Sequence, residues 1–121
     1  MKTILTVDDS ASIRQMIKLT LTGAGYQVVE AGNGAEGLTA AKASPVNMIV
    51  TDLNMPVMDG LAFIKEMRKL PDYKGVPIVF LTTESDSGIK QQAREAGATG
   101  WITKPFKPEQ LLAVVAKLVR P

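Results

Sequence analysis

Residues 48–55 read Met48-Ile49-Val50-Thr51-Asp52-Leu53-Asn54-Met55. An apolar, β-branched run stops abruptly on a carboxylate. Such a run is too short for a helix and too apolar for a strand with one wet face, so it predicts a strand covered on both sides. Four further runs share its character: Ile4–Val7, Gln27–Ala31, Ile78–Thr82 and Gly100–Thr103. The spacing predicts strands over all five, with strands 2 to 4 nearly continuous in apolar character. Amphipathic helical patterns fill the gaps. Ile13, Met16, Ile17 and Leu21 draw one stripe, and Leu61, Ile64, Met67 and Leu70 another. Weaker stripes run through Ala35, Leu38 and Ala41, through Ile89, Ala93 and Ala96, and through Leu112, Val115 and Val119. Asn33 and Pro108 stand where helices begin, while Gly23, Gly25, Ser44-Pro45, Gly75 and Gly97 follow helices.

Alternation of β and α through 121 residues predicts one α/β domain over 1–121, a (βα)5 three-layer sandwich with a parallel five-stranded sheet. Right-handed crossovers leave few topologies. Among them we take the flavodoxin-like order 2-1-3-4-5, by analogy with known sheets of this class. Ligands of such sheets bind beyond the carboxyl ends of the strands, where the order reverses. Here that means the ends of strands 1 and 3.

Composition narrows the chemistry. The chain has 14 basic and 12 acidic residues, net +2, with the bases scattered. Nucleic acid is therefore not an expected partner. No apolar run approaches the roughly 20 residues of a membrane span, and acids follow the first apolar stretch too soon for a signal peptide. The expected location is cytoplasmic. The length leaves no room for a separate output domain, and a monomer is expected. Cys and His are both absent. That removes disulfides, thiolate sites and the commonest general base, and leaves hard, oxygen-ligated metals.

Polar residues stand where a site is expected. Strand 1 ends in Asp8-Asp9, strand 3 in Asp52, strand 4 in Thr82-Thr83, and strand 5 runs into Lys104-Pro105. Adjacent strands lie about 4.8 Å apart, so three carboxylates share a small volume. They repel one another unless a cation intervenes. An open carboxylate cluster suits Mg2+, with Mn2+ able to substitute, better than a Ca2+ cage. One Asp alone in such a loop is more often a helix cap or turn residue, and Asp9 or Ser10 is placed to cap the following helix. Convergence of three, with Lys104 and Thr82, points instead to a site. Without His, no hydroxyl nucleophile is activated by the Ser-His-Asp scheme. A carboxylate attacks a phosphoryl group without prior deprotonation, provided its charge and the phosphate's are neutralised. Asp52, alone at the central strand, is the expected nucleophile. Asp8 and Asp9 are the expected metal ligands, and Lys104 and Thr82 the expected donors to phosphoryl oxygens.

These residues resemble the response-regulator receiver family. The matching pieces are Val7-Asp8-Asp9-Ser10, Thr51-Asp52-Leu53-Asn54-Met55-Pro56, Met58-Asp59-Gly60, Leu81-Thr82-Thr83, Gly97-Ala98 and Lys104-Pro105-Phe106. The resemblance implies a non-enzymatic phosphoacceptor that takes phosphate from a histidine kinase on Asp52. It implies direct metal binding by Asp9 and Asp52, a water-mediated role for Asp8, and a backbone carbonyl from Asn54. It also implies a cis Lys104–Pro105 bond. Trp101 matches the family's aromatic switch position, where Tyr or Phe is usual. Within the family the chain looks most like the single-domain, CheY-like chemotaxis branch. There Asn54 and Glu84 match positions that tune dephosphorylation. A downstream protein target is expected on the face around Trp101, Lys90, Arg94 and Lys107. The competing readings are a Mg2+-dependent phosphohydrolase with an Asp nucleophile, for which a second acid and a lid are wanting, and a phosphorelay intermediate or phosphate sink.

Overall fold

The computed structural model describes residues 1–55, 57–83 and 87–121, without the side chain of Ser87. The strands are β1 (Thr3–Val7), β2 (Gln27–Ala31), β3 (Met48–Asp52), β4 (Ile78–Thr82) and β5 (Gly100–Thr103). The helices are α1 (Ala11–Gly23), α2 (Gly34–Ala43), α3 (Gly60–Lys69), α4 (Ser87–Ala96) and α5 (Pro108–Leu118), with a short 3-10 turn at Pro71–Tyr73. All strand pairs are parallel and the sheet order is β2-β1-β3-β4-β5. This is the flavodoxin-like sandwich predicted from the sequence.

Burial differs from the sequence reading at one edge. The fully covered strands are β3 and β4, with β1 buried from Ile4 onward. β2 leaves Gln27 and Glu30 exposed and buries only Ala31 completely. Position explains this: β2 has one neighbour, whereas β1, β3 and β4 are flanked on both sides. Its Val28 and Val29 still each pack against one apolar layer.

The period of two sorts the strand residues into those layers. Leu5, Val7, Ile49, Ile78 and Phe80 face α2, α3 and α4, where Phe63, Ile64 and Met67 meet them. Ile4, Met48, Val50, Val79, Leu81 and Ile102 face α1 and α5, against Ile17, Leu21, Leu111 and Val115. Two helical stripes shift from expectation. Phe63 joins the buried face of α3, and Leu111 rather than Leu112 is fully buried on α5.

Side-chain caps set the helix starts. The Ser10 hydroxyl accepts from Ile13 N–H at 3.3 Å, Asn33 Oδ1 from Glu36 N–H at 2.9 Å, and Asp59 Oδ1 from Ala62 N–H at 2.8 Å. Gly25 and Gly97 close helix ends with φ of +98° and +116°, a region that an L side chain enters at a cost.

Candidate functional site

Strand parity also aims the site residues. Asp8 continues the Ile4–Thr6 parity of β1, Asp52 the Met48–Val50 parity of β3, and Lys104 the parity of Ile102. All three therefore leave the carboxyl edge of the sheet toward the α1/α5 side. There they meet. The Lys104 ammonium lies 3.3 Å from Asp52 Oδ2 and 3.6 Å from Asp8 Oδ2. One carboxylate oxygen from each of Asp8, Asp9 and Asp52 falls within 4.8 Å of the others.

Each carboxylate has a different setting. Asp8 is fully buried, Asp52 is 7% exposed, and Asp9 is exposed. Asp8 Oδ1 accepts from the Ser10 N–H at 2.9 Å, and Asp52 Oδ1 from the Leu53 N–H at 2.8 Å. Asp8 Oδ2 is buried and has no hydrogen-bond donor among the described residues, since 3.6 Å to Lys104 is an ion pair and not a hydrogen bond. Burial, above all, raises the Asp8 carboxyl above its ordinary value; Asp52 and Asp9 push the same way, while Ser10 N–H and Lys104 only partly oppose them.

Three clustered carboxylates, one of which also has a buried oxygen without a donor, suit a divalent cation. The donor set is carboxylate only, in a chain without His or Cys, so the fit is to a hard ion such as Mg2+.

The remaining predicted residues surround this cluster unevenly. Thr82 is buried at the end of β4, one residue beyond Leu81, the partner of Asp52 in the ladder. Its carbonyl accepts from the Lys104 N–H at 2.8 Å, which joins through the backbone the two residues predicted to contact phosphoryl oxygens. Asn54 is exposed in the loop after β3. The Lys104–Pro105 bond is cis. Glu84 lies outside the described residues. Trp101 sits on β5 opposite Phe80, on the other face from Ile102, with its ring 6.2 Å from the Phe80 ring. Lys90 Nζ stands 4.6 Å and Arg94 Cζ 6.0 Å from the Trp101 ring, so α4 covers it with two cations. Lys107 is exposed at the head of α5.

Two further residues support the site, in roles that the sequence pattern does not specify. Gly60 opens α3 beneath Asp52: a Cβ there would lie 2.2 Å from the Asp52 carbonyl oxygen and 2.7 Å from Leu53 Cα. Gly60 belongs to the family-like Met58-Asp59-Gly60 stretch, which does not itself reveal this crowding. Arg14 reaches back from α1 to donate to the Asp8 carbonyl, and its Nε donates to Glu30 Oε1 at 3.3 Å.

Comparison with known proteins agrees with this geometry. The model of the response regulator receiver domain matches residues 4–116. The probable transcriptional regulator ycf27 of Porphyridium aerugineum is 40% identical over 117 residues, which are 97% of this chain and 48% of that protein. The chain thus spans about half the length of the first curated relatives it matches. The chemotaxis protein CheY homolog of Campylobacter jejuni is 40% identical over 110 residues, 89% of this chain and 85% of that protein. The chemotaxis response regulator CheY4 of Vibrio cholerae superposes with a TM-score of 0.95 at 46% identity, over 98% of this chain and 99% of that one. With fold, motif order and carboxyl-edge cluster in agreement, the chain belongs to the response-regulator receiver-domain family and is CheY-like within it.

Proposed function

We propose that this chain receives a phosphoryl group from a histidine kinase on Asp52 and passes the signal to a protein target through the face around Trp101. The observation that carries this is the meeting of Asp8, Asp9, Asp52 and Lys104 at the sheet's carboxyl edge. Mg2+, with Mn2+ able to substitute, would be held by Asp8, Asp9, Asp52 and the Asn54 carbonyl, and would supply the charge neutralisation that an anionic nucleophile meeting a phosphoryl group requires.

The chain's own residues do the rest. Asp52 is oriented before reaction: Leu53 N–H fixes Oδ1, and Lys104 faces Oδ2. A carboxylate oxygen forms the new bond to phosphorus while the donor's phosphorus–nitrogen bond breaks. The departing imidazole keeps that electron pair and takes up a proton. Lys104, a compact donor, and the Thr82 hydroxyl then serve the phosphoryl oxygens. The product carries about −1.5 to −2 charges near neutral pH, more than a carboxylate, and draws both donors toward Asp52. Lys104 and Thr82 share a backbone hydrogen bond and head the segments that lead to α5 and α4. Their movement shifts the balance between two arrangements of the face formed by Trp101, Lys90, Arg94 and Lys107. Chemotaxis is the process the CheY-named relatives suggest, and the proposed setting is cytoplasmic. Among the described residues no helix is long and apolar enough to cross a membrane.

Phosphotransfer profiling tests the reading. Radiolabelled histidine kinases are mixed with the chain in Mg2+. Rapid transfer from one kinase, abolished in Asp52→Asn, is the predicted result; undiminished labelling of Asp52→Asn would overturn the assignment.

A further inference from the structure

We propose that Arg14, which is not a ligand, positions the cation site by bracing the Asp8–Asp9 peptide against β2, with Glu30 holding Arg14 in place. This inference rests on the Mg2+-dependent reading above.

Asp8 and Asp9 stand where β1 gives way to a loop, the point at which strand hydrogen bonding stops constraining the chain. Three hydrogen bonds hold Asp8 there, besides its ion pair with Lys104. Its N–H donates to the Ala31 carbonyl at 3.0 Å, which prolongs the β1–β2 ladder by one bond. Its Oδ1 accepts from Ser10. Its carbonyl accepts from Arg14 Nη1. The first two leave the peptide linking Asp8 to Asp9 free to tilt. The third fixes that tilt, because the carbonyl of residue 8 and the N–H of residue 9 belong to one plane. Asp9 needs such help. Among the described residues its exposed carboxylate has no hydrogen bond or ion pair of its own.

Arg14 is itself anchored. Its backbone N–H donates to the Ser10 carbonyl at 3.0 Å, as the first turn of α1 dictates. Its Nε bonds Glu30 on β2, and only 22% of its side chain is exposed. A guanidinium suits the task because its rigid fork serves two acceptors in fixed directions. Lys18 also pairs with Glu30, at 3.6 Å, but is half exposed and makes no hydrogen bond to Asp8. It provides the control.

Charge and positioning predict opposite signs. As a nearby positive charge, Arg14 disfavours a cation, so removing it would tighten binding. As a brace, removing it loosens binding, since partners behind metal ligands contribute about 10–100-fold to affinity. The test is calorimetric Mg2+ titration of the whole chain and its variants, with circular dichroism to confirm folding. Arg14→Gln is expected to weaken Mg2+ binding about ten-fold or more. Arg14→Lys should stay within a few-fold of Arg14→Gln, because one ammonium cannot replace the fork. Glu30→Gln should weaken binding, still do so at 0.5 M KCl where charge effects are screened, and add nothing in the Arg14→Gln background. Lys18→Met should change it less than two-fold. Hydrogen exchange of the Ser10 amide should quicken in metal-free Arg14→Gln.

Equal or tighter binding by Arg14→Gln, or full affinity in Arg14→Lys, would overturn the role of Arg14 alone. Absence of Mg2+ uptake by the unmodified chain would overturn the functional reading and this inference together. Should Arg14→Gln fail to fold, the salt-resistant effect of Glu30→Gln decides.

Discussion

Replacing Asp8 by Asn should make the metal-free protein more stable, although it removes a residue the site depends on. Asp8 is fully buried and the Lys104 ammonium is 3.6 Å away. At an effective dielectric constant of about 20, that attraction amounts to about 4.6 kcal/mol. An Asp52 oxygen no more than 4.8 Å away opposes it by at least about 3.5 kcal/mol on the same scale. The two cancel, so the ion pair leaves no surplus in favour of the charge. The Ser10 N–H adds about 2 kcal/mol. Burial of the carboxylate costs several kcal/mol, and Asp9 repels it further. The balance favours a neutral side chain by about 1–2 kcal/mol. Asn keeps an oxygen for Ser10 and carries no charge. For 121 residues, about 1 kcal/mol corresponds to about 4 °C in Tm, so the variant should melt about 4–8 °C higher in EDTA.

Two controls follow from the same physics. Because the folded carboxyl lies above its ordinary value of 3.8, Asp8 favours folding fully below that value and loses this contribution as pH rises through its folded value. The gap between variant and parent should therefore narrow as pH falls from neutral. Saturating Mg2+ should reverse the order: a ligand at 100 times its Kd stabilises by about 2.7 kcal/mol, a gain the variant largely forfeits. The assay is thermal unfolding by circular dichroism in EDTA and in Mg2+ from neutral to mildly acidic pH. A lower Tm for Asp8→Asn in EDTA, or equal Mg2+ stabilisation of both proteins, would refute the reasoning.

Other substitutions probe the frame of the site. Gly60→Ala places a methyl 2.2 Å from the Asp52 carbonyl; it should cost about 1–3 kcal/mol in denaturant unfolding and weaken Mg2+ binding by displacing Asp52. Val57 is β-branched, 84% exposed and held at φ 71°, so Val57→Gly should relieve strain without losing packing and raise stability by about 0.5–1 kcal/mol. Tyr73 is buried, donates to the Ala41 carbonyl and accepts from the Val46 N–H at 3.3 Å. Tyr73→Phe should cost about 1–3 kcal/mol in urea unfolding while Mg2+ affinity holds, since it packs under the α2–β3 connection away from the carboxylates.

The fold was legible because strand and helix periods are local. The predicted strands fall within one residue of the observed ones, and helices begin at Asn33 and Pro108 as expected, Asn33 as a cap and Pro108 as the first helical residue. Partial exposure of β2 follows from the predicted order, which puts strand 2 at an edge, but the apolar run through Val28 and Val29 reads like a central strand and hides it. Phe63 and Leu111 were passed over because Leu61 and Leu112 fit the chosen stripes as well; only the tilt of each helix on the sheet decides between adjacent apolar residues. In the site, Asp8, Asp9, Asp52 and Lys104 announced themselves as polar residues ending apolar runs. Arg14 and Gly60 did not. Their roles arise from contacts with backbone atoms only a few residues back, the Asp8 carbonyl and the Asp52 carbonyl, which no side-chain pattern marks. The cations stacked on Trp101 required the α4–β5 packing before Lys90 and Arg94 acquired a common partner.

The central claim is that Asp52 accepts a phosphoryl group only with the acidic cluster neutralised. Its most direct measurement is mass spectrometry of the chain after incubation with acetyl phosphate, in Mg2+ and in EDTA, with the modified residue mapped by peptide. The account predicts one labile phosphoryl group on Asp52 in Mg2+ and almost none in EDTA. Equal labelling in both conditions, or label on any other residue, would contradict it.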